Sequence, residues 1–128
     1  MKINSMEQPI PNITKTILER IIERDFNENS AAVKIKLKQI ESDSESGKNR
    51  ISAAILKLAN GNLKQVEKYI TVSKVDFRDV ISQAEYPRCS ELGFEAMEKP
   101  GIEKVYLEDW NEYSEWLNKL TYKGKGSQ

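Results

Sequence analysis

The stretch "AAILKLANGNLKQVEKYI", residues 53–70, constrains the fold more than any other part of this chain. Ile51, Ala54, Ile55, Leu58 and Ala59 recur at helical spacing, and Leu63, Val66 and Ile70 do so again beyond them. Asn60-Gly61 lies between the two runs. Glycine tolerates the left-handed conformation that ends many helices, so the first helix is expected to stop there with Gly61 at positive φ. Asn62 opens the next helix, with Gln65 three places on as in a capping box. Two helices joined this tightly must turn sharply and pack at an angle.

Helical signals continue on both sides. Ile13, Ile17, Leu18, Ile21 and Ile22 form an apolar stripe opposite Lys15, Glu19, Arg20 and Glu23, with Asn12 or Thr14 as its cap. The polar "NENS" closes that helix, and Ser30 is expected to cap the next. Val33, Ile35 and Leu37 alternate with Lys34, Lys36 and Lys38, which is strand periodicity. A helix would instead bury Val33, Leu37 and Ile40. The serine cap, Ala31-Ala32 and the lack of an obvious partner strand decide for helix. "ESDSESGKN" reads as a polar loop before a helix beginning at Arg50. After "TVSKV", Asp76 caps a helix carrying Phe77, Val80, Ile81 and Ala84, which must end before Pro87. "PRCSELGFEAMEKPG" reads as irregular, with one turn around Glu91 to Met97. Asp109 and Glu112 resemble a capping box for a last helix bearing Trp110, Tyr113, Leu117 and Leu120. Ile102 and Tyr106 continue that stripe backwards, so its start is open between residues 102 and 109. The expected fold is all-α: a compact single domain of five or six short, orthogonally packed helices. Residues 1–11 form a flexible arm, 12–121 the helical domain and 122–128 a disordered tail.

Leu, Ile, Val and Phe make up about a quarter of the 128 residues, above the roughly 20% associated with disorder. Twenty basic and twenty acidic residues cancel, so no net charge draws the chain to nucleic acid or an acidic membrane. The distribution is uneven. Residues 31–74 hold nine bases and four acids, and residues 75–117 hold four bases and eleven acids. The two segments are expected to meet, within one molecule or across a symmetric dimer. Cys89 is the only cysteine, which excludes an internal disulfide and suits a reducing cytoplasm. The chain shows neither a run of ~18 apolar residues nor the apolar stretch of a signal peptide.

Residues 58–88 outline two helices and a turn, which raises the question of a DNA-reading helix-turn-helix. The helix that would enter the groove, "DFRDVISQAE", sets Asp76, Asp79 and Glu85 against Arg78 alone. Those acids repel phosphate, so a core-building hairpin is expected. Catalysis has little to draw on. Histidine, the commonest general base and nitrogen metal ligand, is absent. Glu108, Asp109 and Glu112 lack the spacing and glycine of a calcium loop and read as helix N-terminal charge. No glycine-rich phosphate cradle precedes Gly47-Lys48. Cys89 has no general base beside it in the sequence and reads as a small, semi-buried residue. No catalytic residue, cofactor site or metal site is assigned.

The run "AAILKLANGNLKQVEKYITVSKVDFRDVISQAEYPR", residues 53–88, combines an Ile-Leu-Lys-Leu helix, a Gly-Asn-Leu junction, an aromatic-Arg-Asp-Val helix and a closing Tyr-Pro. It resembles a segment of a family of small bacterial helical proteins to which no activity is attached. The resemblance implies bacterial origin and a helical core, and it carries over no functional residue. The leading functional expectation is a non-enzymatic protein-interaction or accessory module. Its candidate surface is Tyr86, Arg88, Trp116, Lys34 and Lys38, and its partner another protein or a second copy in a weak dimer, with no membrane. The rivals are a nucleic-acid-binding regulator using basic residues of segment 31–74 (Lys34, Lys36, Lys38, Lys48, Arg50, Lys57 and Lys64) and, further off, a carboxylate-dependent enzyme.

Overall fold

A computed structural model describes residues 10–93 and 99–119. They form α1 (Lys15–Phe26), a 3₁₀ turn (Asn27–Asn29), α2 (Ser30–Leu37), α3 (Glu45–Ala59), α4 (Leu63–Glu85), α5 (Pro87–Leu92) and α6 (Ile102–Asn118). The fold is all-α, with no strand among the described residues. None of its helices is long and apolar enough to cross a membrane. The expected turn around Glu91 to Met97 falls largely on residues outside those described. Residues 1–9 of the arm and the tail from 120 onward also lie outside them.

α3 is the central element. Ile51, Ala54, Ile55 and Ala59 of its expected apolar face are buried and Leu58 is partly so, and Ala53, Ser52 and Leu56 on other sides are buried too. Ala53, Ala54 and Ala59 keep α3 thin, so neighbouring helices approach closely, and α4 packs most closely of all. Leu18, Ile21, Ile22 and Phe26 of α1, Val33 and Leu37 of α2, and Val66, Ile70 and Val80 of α4 complete the core with Tyr113. Each fully buried aliphatic side chain contributes about 1.5–3 kcal/mol relative to exposure.

Local signals place several boundaries as expected. Thr14 caps α1, its hydroxyl accepting from Ile17 N at 3.2 Å. Residues 33–37 are helical and Lys38 is the C-cap, with Val33, Leu37 and Ile40 buried and Ile35 63% exposed. Asn60 takes the left-handed conformation at φ 49° and Gly61 follows at φ 81°. Asn62 Oδ1 accepts from Gln65 N at 3.1 Å. Asp76 interrupts α4 with extended geometry (φ −156°, ψ 96°), and its carboxylate accepts from Arg78 N at 3.1 Å. α4 is therefore two helical limbs, 63–75 and 77–85, with Asp76 capping the second.

Other expectations are corrected. Ser30 does not cap α2; it is the first helical residue, and Asn29 before it makes no side-chain cap. The polar "ESDSESGKN" is not all loop, because Ser44 accepts from Gly47 N at 3.0 Å and starts α3 at Glu45. A Cβ at Gly47 would lie 2.5 Å from Ser42 Oγ, so that exposed hydroxyl would have to turn away to admit another residue. The "PRCSEL" segment is helix, with Pro87 at its start, where its missing N–H costs nothing. Phe77, carried by the second limb of α4, is 46% exposed. Trp110, on the expected apolar stripe of the last helix, is half-buried and stands outside the core cluster, and Trp116 is half-buried and packs against that cluster. α6 starts at Ile102, the earlier end of the range that its stripe left open.

Candidate functional site

Asp109 has a different role from the one its sequence context suggests. It is fully buried in the middle of α6. Its Oδ1 accepts from Arg88 N at 3.2 Å and its Oδ2 from Cys89 N at 3.1 Å. Those are free donors in the first turn of α5, so Asp109 is an N-cap delivered from another helix. Arg88 Nη1 adds a bond to Asp109 at 2.8 Å and reaches Glu112 at 2.7 Å, and these partners push the guanidinium pKa up. Cys89 lies buried beneath this cap, and burial, reinforced by Asp109, pushes its thiol pKa up to about 12.

Two further arginine clusters tie the helices together. Arg50 of α3 makes a two-pronged pair with Glu85 of α4, at 2.8 and 2.7 Å, and reaches Tyr86 Oη at 3.4 Å. Tyr86 stacks edge-on against Tyr106 with ring centres 6.1 Å apart, and burial pushes its pKa up. Arg24 of α1 pairs with Asp25 at 2.7 Å. It also donates to the carbonyls of Trp116 and Lys119 at 2.7 and 3.0 Å while lying over the Trp116 ring. Arg20 donates to Leu117 O at 2.9 Å. Two arginines of α1 thus donate to carbonyls at the end of α6, where helical partners run out; Trp116 O also accepts from Lys119 N at 3.4 Å. Tyr113 Oη is buried without a hydrogen-bond partner; burial first, then the charge of Glu85, pushes its pKa well above the usual tyrosine range.

The sequence-expected surface residues do not form one patch. Tyr86, Arg88 and Trp116 belong to the internal supports just described. Lys34 and Lys38 instead line a groove of about 420 Å³ between α1, α2 and α3. Leu18, Ile22 and Leu37 form its floor, and Lys15 and Lys48 join Lys34 and Lys38 at its walls. Lys34 lies 3.7 Å from Glu23, while Lys15, Lys38 and Lys48 make no ion pair with any described residue. Glu19 and Glu45 interrupt the cationic lining. Lys15 falls outside the basic segment 31–74, so linear charge counting missed its place in the site.

The basic and acidic segments meet inside the molecule, through Arg50–Glu85 at 2.7 Å and Lys57–Glu112 at 3.6 Å. Lys36 is taken up by Glu67 at 2.6 Å. Among the described residues no group of three His, Cys, Asp or Glu side chains is placed to hold a metal ion. No protein-family model, curated protein or solved structure matches the chain.

Proposed function

We propose that this protein is a non-enzymatic interaction module that holds an acidic, amphipathic segment of a protein partner in the α1–α2–α3 groove. The observation carrying this reading is the combination of an apolar floor with three lysines that have no partner among the described residues. The lysine stems extend the apolar surface, and their ammonium groups meet carboxylates flanking an apolar stripe. The groove places no thiol among its lysines, and its serine hydroxyl is engaged, Ser52 Oγ donating to Lys48 O at 2.8 Å.

A protein partner fits better than nucleic acid. Phosphate tracking relies on a continuous set of cations able to displace counterions. Here Lys36, Arg50 and Lys57 are already paired with acids, and Glu19 and Glu45 break the groove lining. The test is amide NMR titration with two probes, a synthetic helix with a leucine stripe flanked by glutamates and a short DNA duplex. The peptide is expected to shift amides around residues 15–22, 34–38 and 45–52, with affinity falling as salt rises. Tighter binding of the duplex at the same amides would replace this reading with the nucleic-acid one.

A further inference from the structure

The groove is polarised along its length. Asn49 of its α3 wall donates from Nδ2 to Ile13 O at 3.1 Å, and Lys48 and Lys15 each lie within two positions of that bond in the chain, so they share one end. Lys34, 3.7 Å from Glu23, lies at the other end, towards the 3₁₀ turn that joins α1 to α2. Glu23 is about 12 Å along α1 from Lys15. Lys38 stands a helical turn farther from the 3₁₀ turn than Lys34 does. Along α1 the wall passes from Lys15 to Glu19, with Glu23 a turn beyond. Glu45 is the one acid on the α3 wall, about a turn before Lys48. A carboxylate is therefore drawn between Lys15 and Lys48 and repelled along α1 towards Glu23.

The groove is also short and narrow. Its α1 wall runs from Lys15 to Ile22, a rise of about 10.5 Å or roughly two helical turns. Leu18, Ile22 and Leu37 of the floor are each less than a tenth exposed, so the floor takes a single aliphatic anchor or an adjacent pair rather than a long stripe. We infer that the partner presents a short motif of about two helical turns, with its carboxylates gathered at one end and that end seated between Lys15 and Lys48. This inference rests on the reading of the groove as a seat for an acidic amphipathic segment, and it specifies the length and charge order of that segment.

Amide NMR titration with two-turn peptides, each held helical by a side-chain lactam on its solvent face, provides the test. Two peptides of identical composition carry leucines at positions i and i+4. In one the glutamates all follow the leucines; in the other they are divided between both ends. The clustered peptide should bind roughly three- to tenfold more tightly, the gain expected from a pair of exposed charge contacts. A nitroxide at its glutamate end should broaden amides around residues 15 and 48 more than those around residues 23 and 34. Lys15→Gln with Lys48→Gln should bring the two peptides to within about twofold of each other, whereas Lys34→Gln should leave their ratio unchanged. Circular dichroism confirms that each variant is folded, and Lys15→Gln alone replaces the double variant if that one loses helix. Equal affinity of the two peptides, stronger broadening around residues 23 and 34, or a ratio that survives the loss of Lys15 and Lys48 would each overturn the inference. If the longer leucine–glutamate helix titrates the groove while the two-turn peptides bind equally or not at all, only the short, one-ended motif fails; if no acidic helix shifts these amides, the groove reading falls with it.

Discussion

On the α6 side of the molecule the arginines are tied down; at the groove three of the four lysines, Lys15, Lys38 and Lys48, are left free. Arg20, Arg24, Arg50 and Arg88 donate to helix-end carbonyls or to Asp25, Glu85 and Asp109. Lys15, Lys38 and Lys48 reach no carboxylate among the described residues. The planar guanidinium offers several donors in a fixed fork, which suits it to satisfying buried acceptors from two directions. An ammonium on a flexible stem is a hydrated point charge suited to the surface. The contrast separates charge that holds the fold from charge available to a partner.

The largest expected effect lies on the arginine side. Asp109→Ala leaves two N–H groups of α5 without a cap, while Arg88 keeps Glu112 as a partner. It should cost about 2–4 kcal/mol in urea unfolding, since two N–H groups lose their acceptor. A loss under about 1 kcal/mol would break the comparison, since surface pairs contribute that little.

Alkaline pH provides the next test. Cys89 has its pKa raised from 9.0 to about 12, so folding favours the neutral thiol. Its contribution to stability is complete below pH 9 and is lost as pH rises through about 12. Denaturation at stepped pH should show that fall, and Cys89→Ala should flatten it. At the junction between α3 and α4, Gly61→Ala should cost about 1–2 kcal/mol, the penalty for an L-residue at left-handed geometry. An equally stable Gly61→Ala protein would show that backbone conformation at this turn imposes no cost.

Tyr113→Phe should have the opposite sign. It removes a buried hydroxyl that no partner satisfies, so stability should rise by up to about 1 kcal/mol. A loss of stability would show that this hydroxyl is bonded in solution. The smallest effect belongs to the groove. Lys38→Glu with Lys48→Glu should alter stability by no more than about 0.5 kcal/mol. A large change would move these lysines into the class of the arginines.

Elements whose signals are local were legible in the sequence. Thr14, Asn60-Gly61, Asn62 and Asp76 act on residues within four positions, so their patterns read directly. Asp109 was misread because its partners lie 20 and 21 residues away, and nothing near it in the chain reveals that it caps α5. The first turn of α3 was missed because "ESGKN" carries no apolar stripe; the Ser44-Glu45 pair was its one signal. Trp116 is held by Arg24, which lies far from it in sequence, so that contact had no local signal. For the groove, Lys34 and Lys38 were visible as a basic pair. That Lys15 and Lys48 would join them depends on how three helices pack, which no single segment encodes.

The cap that α6 supplies to α5 has a consequence for the order of folding. A six-residue helix is too short to persist alone in water. α5 therefore depends on Asp109 arriving from a helix that follows it in the chain. The two helices should open and close as one cooperative unit. Amide hydrogens of Arg88 and Cys89 should exchange with solvent at the rate at which α6 detaches, not at the rate at which a short helix frays.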